Sequence, residues 1–230
     1  MTLSSFPPAG LALKDARLLL DHSYLPMEAG VAFTEDGMCQ IAASTYMKGS
    51  TGDMIDWWFG WIHNTDQYKI WHPRDHVFSD WEGPRTNDSN YIGGHHLVHE
   101  YIGGELHKLK ISFKSPSEYF GNSWEAAFKE AGYSTAVCGR TGVWNDDTGE
   151  VLYVGHLIHL IKNEPDGVRM RSRFWLGDVD GITDPEVRRA NVSEAFAMGL
   201  LQHATEEMAI LASVLPDMYN KYSKGAQGKI

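Results

Sequence analysis

The sequence predicts an α+β domain in which a curved antiparallel sheet is covered by one long C-terminal helix. Three observations carry that expectation. HHLVHEYIGGELHKLKISF, residues 95–113, alternates polar and apolar side chains on both sides of Gly103-Gly104, as a hairpin does. STAVCGRTGVW, VLYVGHLIHLIKNEPDG and GVRMRSRFWLGDV repeat the alternation over residues 134–179, with turn-forming NDDTGE between the first two. From about Asp184 to Tyr222 the apolar spacing becomes helical, with Pro185 at the first helical position and Pro216 expected to kink or end the run. A sheet with one apolar face must bury it, and a long amphipathic helix can cover it while leaving a cavity between the two layers.

The elements follow in chain order. Residues 1 to about 28 are mixed, and LALKDARLLLDH suggests one short helix. TYMKGSTGDMIDWWFGWIH, residues 45–63, looks like a loop feeding an aromatic helix that runs to about Asn64. Met54, Trp57, Trp58 and Trp61 recur there at spacings of three and four, which fits a face packed on the core or the wall of an aromatic pocket. In GHLIHLI, period two puts His156 and Ile158 on one face and Leu157 and His159 on the other. The expected division is residues 1–44 as an N-terminal extension and 45–223 as the main domain. The glycine pairs at 93–94 and 103–104 are turn residues, since neither opens a helix after a strand as a phosphate loop would.

Composition narrows the function. The chain has 230 residues, 43% hydrophobic, with 8 Trp, 10 Tyr and 9 Phe, enough for one good-sized core. A net charge of −10 argues against general nucleic-acid binding. No run approaches the roughly 18 apolar residues of a membrane span, and MTLSSFPPAG lacks the basic and apolar regions of a secretory leader. Cys39 and Cys138 read as reduced thiols of a cytoplasmic protein. Of the 11 histidines, seven fall between His63 and His107, which points to metal or acid–base chemistry even if most only fill polar strand positions.

QHATEE, residues 202–207, places His203 and Glu207 one turn apart on the C-terminal helix. Such a pair is either a solvated surface couple or two metal ligands. In the second case the strands supply the rest, from His72, His76, His95, His96, His99, Glu100, Glu105 and His107; spacing does not choose among them. A His/Glu donor set suits Zn2+, with iron or manganese as weaker fits.

YKIWHPRDH, HEYIGGELHKLKISF, VGHLIHLI, RSRFWLG and QHATEE, in that order over roughly residues 45–220, resemble the diacetylphloroglucinol hydrolase and phloretin hydrolase family. These are zinc-dependent enzymes that cleave a carbon–carbon bond between an acyl group and a phenolic ring. The resemblance implies a helix-grip fold of the START and pollen-allergen type. It implies zinc ligands at His76, Glu100, His203 and Glu207. His76 is preferred to His72 because the family's functional tyrosine, eight residues earlier, falls on Tyr68. Glu100 is chosen over Glu105. The family's catalytic histidine falls on His156, with Tyr68 beside it in acid–base chemistry. Arg171 and Arg173 suit an anionic phenolate, though a solvated strand face is the preferred reading. The implied partner is a small aromatic ketone, with no nucleic acid or membrane, and a homodimer is left open. The chain is shorter than characterised members, mainly at the N-terminus and between strands. The competing class is a non-catalytic helix-grip carrier of a hydrophobic ligand, and a third reading is hydrolysis of another ketone or an ester on the same metal site.

Overall fold

The computed structural model describes residues 10–21, 24–83 and 91–223. The segment read as lacking a leader falls mostly in residues 1–9, outside the described residues. The elements are a 3-10 helix (Leu13–Leu20), β1 (Gly30–Phe33), β2 (Cys39–Lys48), α1 (Gly52–Trp61), α2 (Thr65–Trp71), β3 (His76–Glu82), β4 (His95–Ile102) and β5 (Glu105–Lys114). They continue with α3 (Ser117–Phe120), α4 (Trp124–Ala131), β6 (Tyr133–Trp144), β7 (Val151–Glu164), β8 (Gly167–Leu176), α5 (Pro185–Ala190) and α6 (Glu194–Tyr222). The strands form one eight-stranded antiparallel sheet in the order β1-β2-β8-β7-β6-β5-β4-β3. Helix α6 lies against its concave face. This is the expected helix-grip architecture.

Local chemistry sets the helix starts. Thr51 caps α1 by accepting from Met54 N–H, Asn64 caps α2 from Gln67 N–H, and Ser193 caps α6 from Phe196 N–H. The single C-terminal run is in fact two helices, because Asn191–Ser193 breaks it and Ser193 restarts it. Pro216 does not end α6, which continues to Tyr222; its ring removes only one backbone donor.

Helix α6 buries Ala197, Leu200, Ala204, Met208, Leu211 and Leu215 at intervals of three and four. The first three pack on Ile41, Ile102, Leu157, Phe174 and Leu176. The last three join Val98, Phe113, Val137, Ile161 and Met170 from the strands and Trp58 from α1. Each fully buried leucine contributes roughly 1.5–3 kcal/mol, so this stripe fixes the rotation of α6 about its axis. Gly199 lets the helix sit on the β4–β5 turn: a Cβ there would lie 2.8 Å from the Gly103 Cα.

Two expectations change. The domain boundary at residue 44 falls inside β2, a strand paired along its length with β8, so the sheet includes residues 30–44. The convex face is also covered. The 3-10 helix, α3 and α4 pack Ala16, Leu19, Phe120 and Phe128 on Ala136, Cys138, Ile158, Leu160 and Trp175. Under that layer Arg171 and Arg173 are only 1% and 0% exposed, which excludes a solvated strand face. Both bond Glu28, at 2.6 Å from Arg171 Nη2 and 2.9 Å from Arg173 Nη2, so neither is available to a phenolate.

Candidate metal centre

His203 and Glu207 lie in the buried stripe of α6, 5% and 8% exposed, so they are no surface pair. The strand side meets them through register. His76 opens β3 directly opposite Glu100 on β4, and a bulge follows between His76 and Phe78. The expected residues His76, Glu100, His203 and Glu207 therefore come together. His76 Nε2 lies 3.4 Å from Glu207 Oε1 and 3.8 Å from Glu100 Oε2, and His203 Nε2 lies 3.9 Å from Glu100 Oε2. Ligand atoms of His76, Glu100 and His203 lie within 4.8 Å of one another.

Neighbouring groups fix these side chains. His76 Nδ1 donates to the Tyr68 carbonyl at 3.0 Å, which leaves the Nε2 lone pair of the neutral ring facing the cluster. Its ring stacks on Tyr68 at 3.7 Å. The Tyr68 hydroxyl donates to Glu100 Oε2 at 2.5 Å. Asp75 Oδ2 faces His203 Nδ1 at 3.6 Å, an ion-pair rather than a hydrogen-bond distance.

Electrostatics bind the set. Burial pushes the Glu207 carboxyl up, but His76, 3.4 Å away, and the positive charge of His203 outweigh it and leave it below the ordinary glutamate value. Burial pulls His76 down, and Glu207 with Glu100 more than reverses that. Burial, then the negative charges of Glu100 and Glu207, hold the Tyr68 hydroxyl well above its usual range, so it keeps its proton. His76 Nε2 and both ring nitrogens of His203 are buried without a hydrogen-bond partner. Two orphaned imidazoles beside two buried carboxylates are the donor set a divalent transition metal takes.

Of the rival ligands only His72 stands beside the cluster: its ring stacks on His203 at 5.2 Å, and ligand atoms of His72, Asp75 and His203 also lie within 4.8 Å of one another. His72 Nδ1 accepts from Asp75 N–H at 3.2 Å, so the neutral ring carries its hydrogen on Nε2 and offers no lone pair there. Glu105 is exposed at the far side of the turn. His95 and His96 pair with Ser112 and Ser79, and His99 lies 3.6 Å from Asp146, as expected of histidines filling polar strand positions.

His156 is corrected. It lies on the convex face, where Nε2 meets Asp178 at 2.9 Å and Nδ1 meets the Tyr119 hydroxyl at 3.0 Å. The sheet separates it from the cluster, so it cannot touch a substrate there. The inward histidine of β7 is His159, whose Nδ1 pairs with Ser172 Oγ at 2.8 Å and whose pKa burial lowers to about 4. The alternation in GHLIHLI already separates the two. Asp75 was also missed; its signal is its place in HPRDH, one residue before His76.

Glu100 also lines a cavity of about 620 Å³ between the sheet and the segment 177–200. Its wall is mostly aliphatic, including Leu109, Ile111, Val154, Leu157 and Leu200, with Phe174 and Phe196. The tryptophans do not line it: Trp58 is core, while Trp57 and Trp61 pack on Tyr219 and Tyr222. Among the described residues no helix is long and apolar enough to cross a membrane.

Fold and site together define a helix-grip domain with a buried two-histidine, two-carboxylate centre opening on an apolar cavity. Residues 11–220 match the DAPG hydrolase PhiG domain, and the chain belongs to that family. It is 30% identical over 217 residues to the phloretin hydrolase of Eubacterium ramulus, covering 86% of this chain and 73% of that protein. It is 26% identical over 235 residues to a 2,4-diacetylphloroglucinol hydrolase of Pseudomonas protegens, covering 94% and 75%. Among solved structures, ginseng major latex-like protein 151 from Panax ginseng superposes with a TM-score of 0.49 at 9% identity, over 78% of this chain and 98% of that one.

Proposed function

We propose that this chain is a zinc-dependent hydrolase that cleaves the carbon–carbon bond between an acyl group and a phenolic ring. One observation carries the reading: His76, Glu100, His203 and Glu207 converge, with orphaned ring nitrogens, at the edge of an apolar cavity. A hydrophobic-ligand carrier has no use for two buried carboxylates, each of which costs several kcal/mol to desolvate. The family membership and the relatives named as hydrolases of acylated phloroglucinols support the reaction class.

The reaction adds water across the bond: the acyl carbon gains hydroxyl and leaves as the acid, while the ring carbon gains a proton. His76, Glu100, His203 and Glu207 would hold the ion, which when bound supplies Lewis acidity toward the acyl oxygen and hydroxide near neutral pH. Tyr68 holds a proton on its hydroxyl oxygen and orients Glu100 through it. Glu207, kept ionised by its histidine neighbours, can accept a proton from the attacking water. The aliphatic wall excludes bulk water and seats the organic part of the substrate. Hydroxyls ortho and para to the broken bond would delocalise charge on the leaving ring carbon. The free, buried Cys39 and Cys138 suit a reducing compartment such as the cytoplasm.

The test is elemental analysis of the purified protein beside His203→Ala and Glu207→Ala, followed by turnover of an acylphenol panel against simple esters. About one zinc per chain, lost in both variants, with acylphenols preferred, is the expected result. No metal in protein never exposed to chelator would refute the reading. Ester turnover alone would move it to another reaction on the same site.

A further inference from the structure

We propose that His107 recognises a ring hydroxyl of the bound aromatic ligand, an inference that rests on the cavity being the substrate site of the activity above. His107 stands on β5 directly opposite Glu100, so both side chains leave the sheet on one face, roughly 5 Å apart at their Cβ atoms. Both line the same cavity.

The imidazole is out of place in its surroundings. Ile102, Leu109 and Ile111 flank it on the cavity wall, and its ring packs on Phe196 at 4.9 Å. His107 Nε2 is buried with no hydrogen-bond partner among the described residues. Of the other histidines of the β4–β5 ladder, His95 and His96 bond serines, and His99 Nε2, likewise without a hydrogen bond, has the Asp146 carboxylate at 3.6 Å; His107 Nε2 has neither. A buried ring nitrogen without a partner is costly unless something outside the protein supplies one. An aliphatic cavity offering a single imidazole beside the acyl-binding end selects an arene carrying a hydroxyl there over one without. A site built to hydrogen-bond a hydroxyl rejects the analogue that lacks it.

Alkylphenols and the alkylbenzenes lacking the hydroxyl test this, because neither has a scissile carbonyl and binding is read without turnover. By titration calorimetry the native protein should bind the alkylphenol at least tenfold more tightly. His107→Phe, which keeps the packing on Phe196, should weaken the alkylphenol about tenfold and leave the alkylbenzene within twofold. His107→Gln, which retains a polar nitrogen, should restore part of the preference. Equal weakening of both ligands, an unchanged preference, or no binding of either would overturn the proposal. Should His107→Phe not fold, His107→Leu carries the same test. Discriminating binding without acylphenol turnover would sink the hydrolase reading and leave this one standing; turnover without discrimination would do the reverse.

Discussion

Gly199→Ala sets two effects against each other. In an exposed helix interior the change stabilises by about 1 kcal/mol, which in a chain this size raises Tm by about 2–4 °C. Here the new Cβ would meet the Gly103 Cα at 2.8 Å and its nitrogen at 3.0 Å, both backbone atoms of the β4–β5 turn. Ordinary contact begins at 3.4 Å, so helix and hairpin must part by about 0.6 Å. His203 stands one turn further along α6, and Glu100 three residues before Gly103. Metal–ligand distances tolerate only about 0.2 Å, so the centre cannot absorb that separation without loosening. The overpacking cost of roughly 1–3 kcal/mol equals or exceeds the propensity gain. We expect an unchanged or lower Tm and zinc bound about 10–100-fold more weakly, measured by competition with a chromogenic chelator. A higher Tm with unchanged zinc affinity would refute the close-packing account of how helix and hairpin assemble the site.

Tyr68→Phe removes the hydroxyl that bonds Glu100; kcat/KM for an acylphenol should fall about 10–100-fold with zinc content kept, and loss of the metal itself would show that Tyr68 serves binding instead. His156→Ala should cost about 1–2 kcal/mol of stability through its lost bond to Asp178 while leaving zinc content and turnover near native, and a hundredfold loss of turnover at unchanged stability would reinstate it as catalytic. Glu28→Gln strands two buried guanidiniums and should destabilise by about 3–5 kcal/mol in urea unfolding; a change below 1 kcal/mol would show that the convex layer holds without the ion pair. Burial raises the Glu28 pKa, but the bonds and charges of Arg171 and Arg173 outweigh it and leave it below its ordinary 4.5. Its stabilisation is therefore present above about pH 4.5 and lost as the pH falls through the depressed value, so native protein and Glu28→Gln should converge in stability in acid.

What was legible in the sequence follows from periodicity. The hairpin about Gly103-Gly104 and the strands β6 to β8 were readable because each carries enough alternating residues to exclude a helix. That His203 and Glu207 share one face of α6 was readable because i, i+4 spacing needs no tertiary information. The convex layer was not. Helices α3 and α4 are only four and eight residues long, too short to show a helical period. Without them, period two implies a wet outer face and puts Arg171 and Arg173 in solvent. In β8 seven consecutive residues from Met170 to Leu176 are buried, so alternation there reports two buried faces. The misplacement of His156 has another origin. Distance along the chain picks out β7, but a residue facing the cavity side must also point inward, and on β7 that is His159, three positions on.

The strand order has a consequence for how the chain reaches this structure. β3 to β8 pair with sequence neighbours, whereas β2 must wait for β8, from which it is separated by most of the chain. During synthesis β1 and β2 are made first, and the apolar run of β2 lacks its β8 partner until Leu176 has left the ribosome. The β4–β5 hairpin is local and can form early. A destabilising change in that hairpin should then slow refolding, while one in β2 should mainly speed unfolding, a contrast that stopped-flow chevrons would read directly. The strands that carry Glu100 and His76 would thus be in place before the long-range β2–β8 pairing closes.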